Sequence, residues 1–186
     1  MSLKEKYSAD NPANRVRPTL AFAFSHPAHA LALFFGAGCM RPAPGTWGTA
    51  AGVLVWIALI SLNVPLAALI VLTVLAFVAG AWASHRTGID LGVEDAGCIV
   101  IDEVAAVWLV LLMLPQNWIG WLAAFISFRI FDIVKLPPAS TIEKKKKNGI
   151  GVMLDDLFAA IWAIAAVMLL DAVVNRLAGP VFLGLY

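Results

Sequence analysis

Charge is what this chain has least of. Charged residues make up 13% of its 186 residues and apolar residues 61%, whereas soluble domains carry about 25% and about 45–50%. So few charges cannot solvate a globular surface, and the composition is that of a membrane protein of one domain. A net charge of +1 offers nothing to a nucleic acid. Cysteine is nearly absent too. Cys39 and Cys98 stand alone, without metal-type spacing, and are expected to be small packing residues rather than a disulfide or a nucleophile.

What charge there is falls in patches: Arg41, Arg86 to Asp95, Asp102-Glu103, Arg129 to Lys147, and Asp155-Asp156. Apolar stretches separate them. Val64 to Ala83 runs twenty residues without a charge, which matches the roughly 20 needed to cross hydrocarbon. Gly48 to Leu62 precedes it across a break at Asn63-Val64-Pro65, and the two are expected to form a helical hairpin. Gly97 to Leu114, Trp118 to Val134 and Leu157 to Val174 complete a set of about five helices.

The turns at Asn63-Pro65 and Pro115-Asn117 hold no Lys or Arg, so they are expected outside, with the other loops and the N-terminus in the cytoplasm. Twelve of the thirteen Lys and Arg residues then share one side, and Arg176 alone lies opposite. Residues 1–18, with Lys4, Lys6, Arg15 and Arg17, are expected to be a flexible polar tail rather than a cleaved signal. Residues 19–186 form the membrane-embedded domain, and Thr19 to Phe35 within it is expected to be interfacial or re-entrant. Trp56, Trp82, Trp118 and Trp121 suit interfacial rings, and His26 and His29 the same interface. The expected fold is all-α, a polytopic membrane bundle with a polar site at its cytoplasmic end.

Ionisable residues inside spans are costly and tend to mark function. Asp102 and Glu103 sit near the start of the third stretch. Arg129 and Asp132 are three apart on the fourth and share a face. Asp155 and Asp156 are expected to open the fifth helix, where simple helix capping is an alternative role. Carboxylates from three helices at one depth repel unless cations sit among them. Oxygen ligands without Cys or His clusters suit a hard ion such as Mg²⁺, and Arg129 with Lys135 suits phosphate oxygens. Pro44-Gly45-Thr46-Trp47-Gly48-Thr49 is a small-residue turn leading into a helix, a pattern that can bind an anion through backbone amides and the Thr46 and Thr49 hydroxyls. The run Lys144 to Lys147 reads as a topology anchor.

These motifs resemble the phosphatidylglycerophosphatase A family of bacterial inner-membrane lipid phosphatases. The resemblance rests on the Pro44–Thr49 turn, Ile99-Val100-Ile101-Asp102-Glu103, Phe128-Arg129-Ile130-Phe131-Asp132-Ile133-Val134-Lys135, and Gly149-Ile150-Gly151-Val152-Met153-Leu154-Asp155-Asp156. Asp95 matches a further acidic position. Thr49 stands where the family usually has Ser, and Leu136 where Pro is common.

The resemblance implies Mg²⁺-dependent hydrolysis of phosphatidylglycerophosphate to phosphatidylglycerol and phosphate in phospholipid biosynthesis. Asp102, Glu103, Asp132 and Asp156 are then the expected catalytic residues. Thr46, Gly48, Thr49, Arg129 and Lys135 are expected to bind substrate, and Asp95, Asp102, Glu103, Asp155 and Asp156 to hold metal. Expected partners are the lipid substrate and membrane lipids, with no nucleic acid and no obligate protein partner evident. No Cys-x5-Arg, Asp-x-Asp or Lys-x6-Arg-Pro motif of other phosphatases is present. A CDP-alcohol phosphotransferase would need an acidic spacing missing here. A cation transporter would need polar residues through the whole membrane depth, but Val104 to Leu114 and Leu157 to Leu170 are uninterrupted apolar runs.

Overall fold

The computed structural model describes residues 12–93, 96–134, 136–137 and 149–178, which contain eight α-helices and no strand. Three helices are short: α1 (Pro12–Arg15), α2 (Leu20–Ala23) and α3 (Pro27–Ala32), followed by a 3-10 segment at Phe34–Cys39. Five are long: α4 (Pro44–Ser61), α5 (Leu66–Leu91), α6 (Ile101–Met113), α7 (Trp118–Val134) and α8 (Gly149–Ala178).

Each of the five expected apolar stretches contains a helix, but among the described residues only α4, α5 and Ile150–Leu177 of α8 are long and apolar enough to cross a membrane. α6 has 13 residues and α7 has 17, lengths of about 20 and 26 Å against a hydrocarbon core of about 30 Å. The shortest of the five is also the most enclosed. α6 packs against α4, α5, α7 and α8, and Ile101, Val104, Ala105, Ala106, Val107, Val110 and Leu111 are all buried. By contrast, only 28% of each spanning window is buried. Leu54, Val78 and Leu169 are each 67% exposed, an apolar outer surface suited to lipid.

Local chemistry sets the helix ends. Ala43 takes a left-handed conformation and Pro44 follows as the first residue of α4, where its missing N–H costs nothing. α5 stops at Gly92 (φ 69°), with Gly92 N bonded to Ile89 O and Val93 N to Gly88 O. That pair of bonds is a Schellman closure, which favours glycine at the left-handed position. Asn117 caps α7 by accepting from Gly120 N at 2.9 Å. Beside it, Gln116 donates to Leu111 O and Leu114 O and accepts from the Trp56 indole at 2.8 Å. This clasp ties α4 to the α6–α7 turn.

Several expectations are corrected. Trp56 is fully buried rather than interfacial. His29 is buried as well, paired with Asp90 of α5 at 2.9 Å and stacked on Phe22 at 4.1 Å. Within the N-terminal segment, Ala13 O accepts from Gly97 N and Val16 O accepts from Arg41 at 2.6 Å. Residues 1–11 lie outside the described residues. α8 begins at Gly149, not Leu157. Asp155 and Asp156 therefore sit on its second turn, and capping does not account for them.

Candidate functional site

The first residues of α4 and α6 approach unusually closely. A Cβ on Gly48 would stand 2.5 Å from Val100 Cβ, and one on Gly52 3.2 Å from Val104. Trp108 on α6 donates its indole N–H to Gly52 O at 2.8 Å across the same seam. A Cβ on Gly45 would overlap the Glu103 carboxylate. The glycines of the Pro44–Thr49 motif thus lie within a helix and admit α6, with the Glu103 side chain resting where Gly45 lacks one. Gly48 faces Val100 in this packing.

Glu103 meets Arg129 of α7. Arg129 Nη1 lies 3.4 Å from Glu103 Oε1, 2.6 Å from Asp132 Oδ2 and 3.5 Å from Thr49 Oγ1. Thr49, fully buried, donates its own proton to Gly45 O at 2.9 Å, so its oxygen is left to accept from Arg129. Three helices therefore fix one guanidinium. The side chains of Arg129 and Glu103 are each 13% exposed, enough shielding to strengthen their attraction beyond that of a surface pair.

The other carboxylates come from α6 and α8. Gly80 of α5 sets their register, because a Cβ there would meet Met153 at 3.0 Å and Ile101 at 3.1 Å. Ile101 and Met153 thus sit at one level. Asp102 follows the first by one residue, and Asp155 and Asp156 follow the second by two and three, within about 5 Å of depth at 1.5 Å per residue. All three are less than a tenth exposed, as is Asp132. Asp102 also accepts from Glu103 N at 3.0 Å in the first turn of α6, where the helix dipole favours negative charge. Asp156 shares the buried face of α8 with Val152, Ala159, Ala160 and Ala163.

Glu103, Arg129, Asp132 and Thr49 of the expected site are thus in contact. Asp102, Asp155 and Asp156 are buried at a common level, and Thr46 is half-buried on the first turn of α4. Asp95 and Lys135 lie outside the described residues, as does the Lys144–Lys147 run. Among the described residues, no three His, Cys, Asp or Glu side chains form a group that could hold a metal by themselves. Burial pushes the Cys98 thiol up to about 12, and Cys39 is raised by the same cause. Both therefore fit the packing role expected of them.

A helical membrane protein with one guanidinium and several carboxylates buried at one end of its bundle belongs to the class equipped to handle an anionic headgroup. The pattern of the family described as Phosphatidylglycerophosphatase A matches residues 30–171. Phosphatidylglycerophosphatase A of Haemophilus influenzae is 41% identical over 151 residues, covering 81% of this chain and 92% of that protein. The Escherichia coli protein of the same name is 38% identical over 138 residues, covering 74% and 79%. The chain belongs to the phosphatidylglycerophosphatase A family. No solved structure matches it.

Proposed function

We propose that this protein is a lipid phosphatase that hydrolyses the terminal phosphate monoester of phosphatidylglycerophosphate, releasing phosphatidylglycerol and phosphate. Family membership supports the reaction and its substrate. The observation that carries it to these residues is the guanidinium of Arg129, fixed by Glu103, Asp132 and Thr49 at the charged end of the bundle. A planar fork fixed in this way suits phosphate oxygens at little ordering cost.

The donor set fits Mg²⁺ in one particular way. Buried oxygen ligands are present without thiolate or imidazole, and the one guanidinium is outnumbered by carboxylates. Among the described residues no three carboxylates form a cage by themselves. Mg²⁺ commonly uses one or two carboxylates, with waters and substrate phosphate completing the shell. One or two of Asp102, Asp155 and Asp156 would hold it, with Asp95, outside the described residues, a further candidate. When bound, the ion supplies neutralisation of phosphoryl charge and acidification of water. Arg129 would orient the phosphate, Glu103 and Asp132 hold Arg129, and Asp102 or Asp156 would take a proton from the attacking water. Thr46 and Lys135 would add phosphate contacts.

The one-sided Lys and Arg distribution supports a multi-pass arrangement with the site facing the cytoplasm of a bacterial inner membrane. In that setting about five helices line the site, α6 and α7 completing a bundle whose lipid-facing walls are α4, α5 and α8. The deciding experiment is phosphate release by the purified protein from phosphatidylglycerophosphate, with phosphatidic acid as a second monoester, in Mg²⁺ and in chelator. No release in Mg²⁺, together with cation flux in liposomes, would overturn the proposal in favour of transport.

A further inference from the structure

Ser84 and Thr87 of α5 are fully buried, and neither hydroxyl has a hydrogen-bond partner among the described residues. Other buried hydroxyls in these helices bond back to their own backbone: Thr49 to Gly45 O at 2.9 Å, Thr73 to Leu69 O at 2.9 Å and Ser127 to Ala124 O at 3.4 Å. That default is open to any helical Ser or Thr. Ser84 and Thr87 do not take it. Two desolvated hydroxyls on successive turns, without compensation, call for a polar ligand.

Their direction follows from Gly80. At about 100° per residue, Ser84 and Thr87 fall within roughly 40° of it, on the face that meets Ile101 and Met153. Trp82, which meets His26, and Arg86, which pairs with Asp90, lie more than about 100° round the helix from Gly80, and Asp90, which meets His29, lies about 80° round. The two hydroxyls therefore look between the starts of α6 and α8, about one and two turns nearer the charged end than Gly80. The first-turn N–H groups of both those helices point towards the same end. Asp102, Asp155 and Asp156 lie about 2–5 Å further from that end than the Gly80 level, and Arg129 stands on the α7 side.

We propose that Ser84 and Thr87 form a phosphate-oxygen subsite. Their O–H groups donate to non-bridging oxygens of a phosphate group seated between α5 and the N-termini of α6 and α8, opposite Arg129. The group is either the monoester of the lipid or free inorganic phosphate. The lipid arm rests on the lipid-phosphatase reading above; the inorganic arm does not.

The test uses the full-length protein in detergent with Mg²⁺. S84A, T87V and the double variant remove hydroxyls, while S84T and T87S keep them. Inorganic phosphate is titrated by ³¹P line broadening, and KM and kcat are measured with phosphatidylglycerophosphate. The double variant is expected to weaken phosphate binding and raise KM about 100-fold or more, the loss of two hydrogen bonds to a charged group. S84T and T87S are expected to stay near the parent, and thermal stability not to fall, since no intramolecular bond is lost. Loss on both arms assigns the phosphate group itself, and loss on the lipid arm alone assigns the esterified headgroup. Unchanged phosphate affinity and unchanged KM in the double variant overturn the subsite. If the double variant does not fold, S84A and T87V are read singly in the same way. A parent protein that released no phosphate from the lipid would sink the lipid-phosphatase reading, and the inorganic titration would still decide the subsite.

Discussion

Arg129 Nη1 reaches Asp132 Oδ2 across 2.6 Å one turn along α7, and the same nitrogen lies 3.4 Å from Glu103 of α6. The pair does more than neutralise itself within one helix. It aims a guanidinium at the α4–α6 boundary, where Thr49 meets it from a third direction.

Arg129→Lys keeps the charge but loses the planar fork. We expect kcat/KM for phosphate release to fall about 100-fold, with the protein still folded by circular dichroism. Activity within a factor of two or three of the parent would show that the fork does not contact the substrate.

Gly45→Ala places a methyl group against the Glu103 carboxylate. Overpacking of this kind costs about 1–3 kcal/mol, and displacing Glu103 would also loosen Arg129. In a Glu103→Ala background the same methyl group meets no carboxylate. The two changes are therefore expected to be less than additive in both unfolding free energy and kcat/KM; strict additivity would refute the coupling.

Trp108→Phe removes the indole donor to Gly52 O while keeping a ring in the seam. A loss of about 1 kcal/mol in a detergent-denaturation titration is expected, typical of one interhelical hydrogen bond in a membrane protein. Turnover should change less than in Arg129→Lys, because the indole donates to Gly52 O and not to the residues that hold Arg129.

Asp102→Asn and Asp156→Asn are expected to abolish turnover while membrane insertion and helix content stay normal. Chelator should abolish the parent's activity and added Mg²⁺ restore it. Full activity of both variants in Mg²⁺ would remove these carboxylates from the metal site.

Cys98 is fully buried, with its thiol pushed up to about 12 by desolvation. A raised thiol pKa keeps the neutral form throughout the range below it, so the thiolate needed for alkylation is scarce at pH 8. Iodoacetamide should label Cys39 well before Cys98 in the native protein, and both at similar rates after denaturation. Equal native rates would contradict the burial.

Hydropathy made the helices visible because a membrane asks for one simple property, sustained apolarity, and α7 runs from Trp118 to Val134 as its sequence suggests. The start of α8 was hidden by residues that usually break or cap helices. Gly149, Gly151 and the Asp155-Asp156 pair continue a helix here because that stretch packs on α5 and α6. The Gly45-Gly48 pattern was legible as a tight feature but not as a helix–helix seam, since its partners Val100 and Glu103 are more than fifty residues away. The same distance in sequence concealed the His29–Asp90 pair. Ser84 and Thr87 gave no signal at all: a serine and a threonine near the end of an apolar helix are ordinary until their neighbours are known.

The exposed apolar walls of α4, α5 and α8 carry a kinetic consequence. A phospholipid would share its solvent with this protein, and that solvent is two-dimensional. Encounter would depend on lateral diffusion and on the mole fraction of substrate among bilayer lipids, not on its amount per volume of buffer. Diluting vesicles at fixed composition should leave turnover per protein unchanged, whereas diluting the substrate with inert lipid at fixed total amount should slow it.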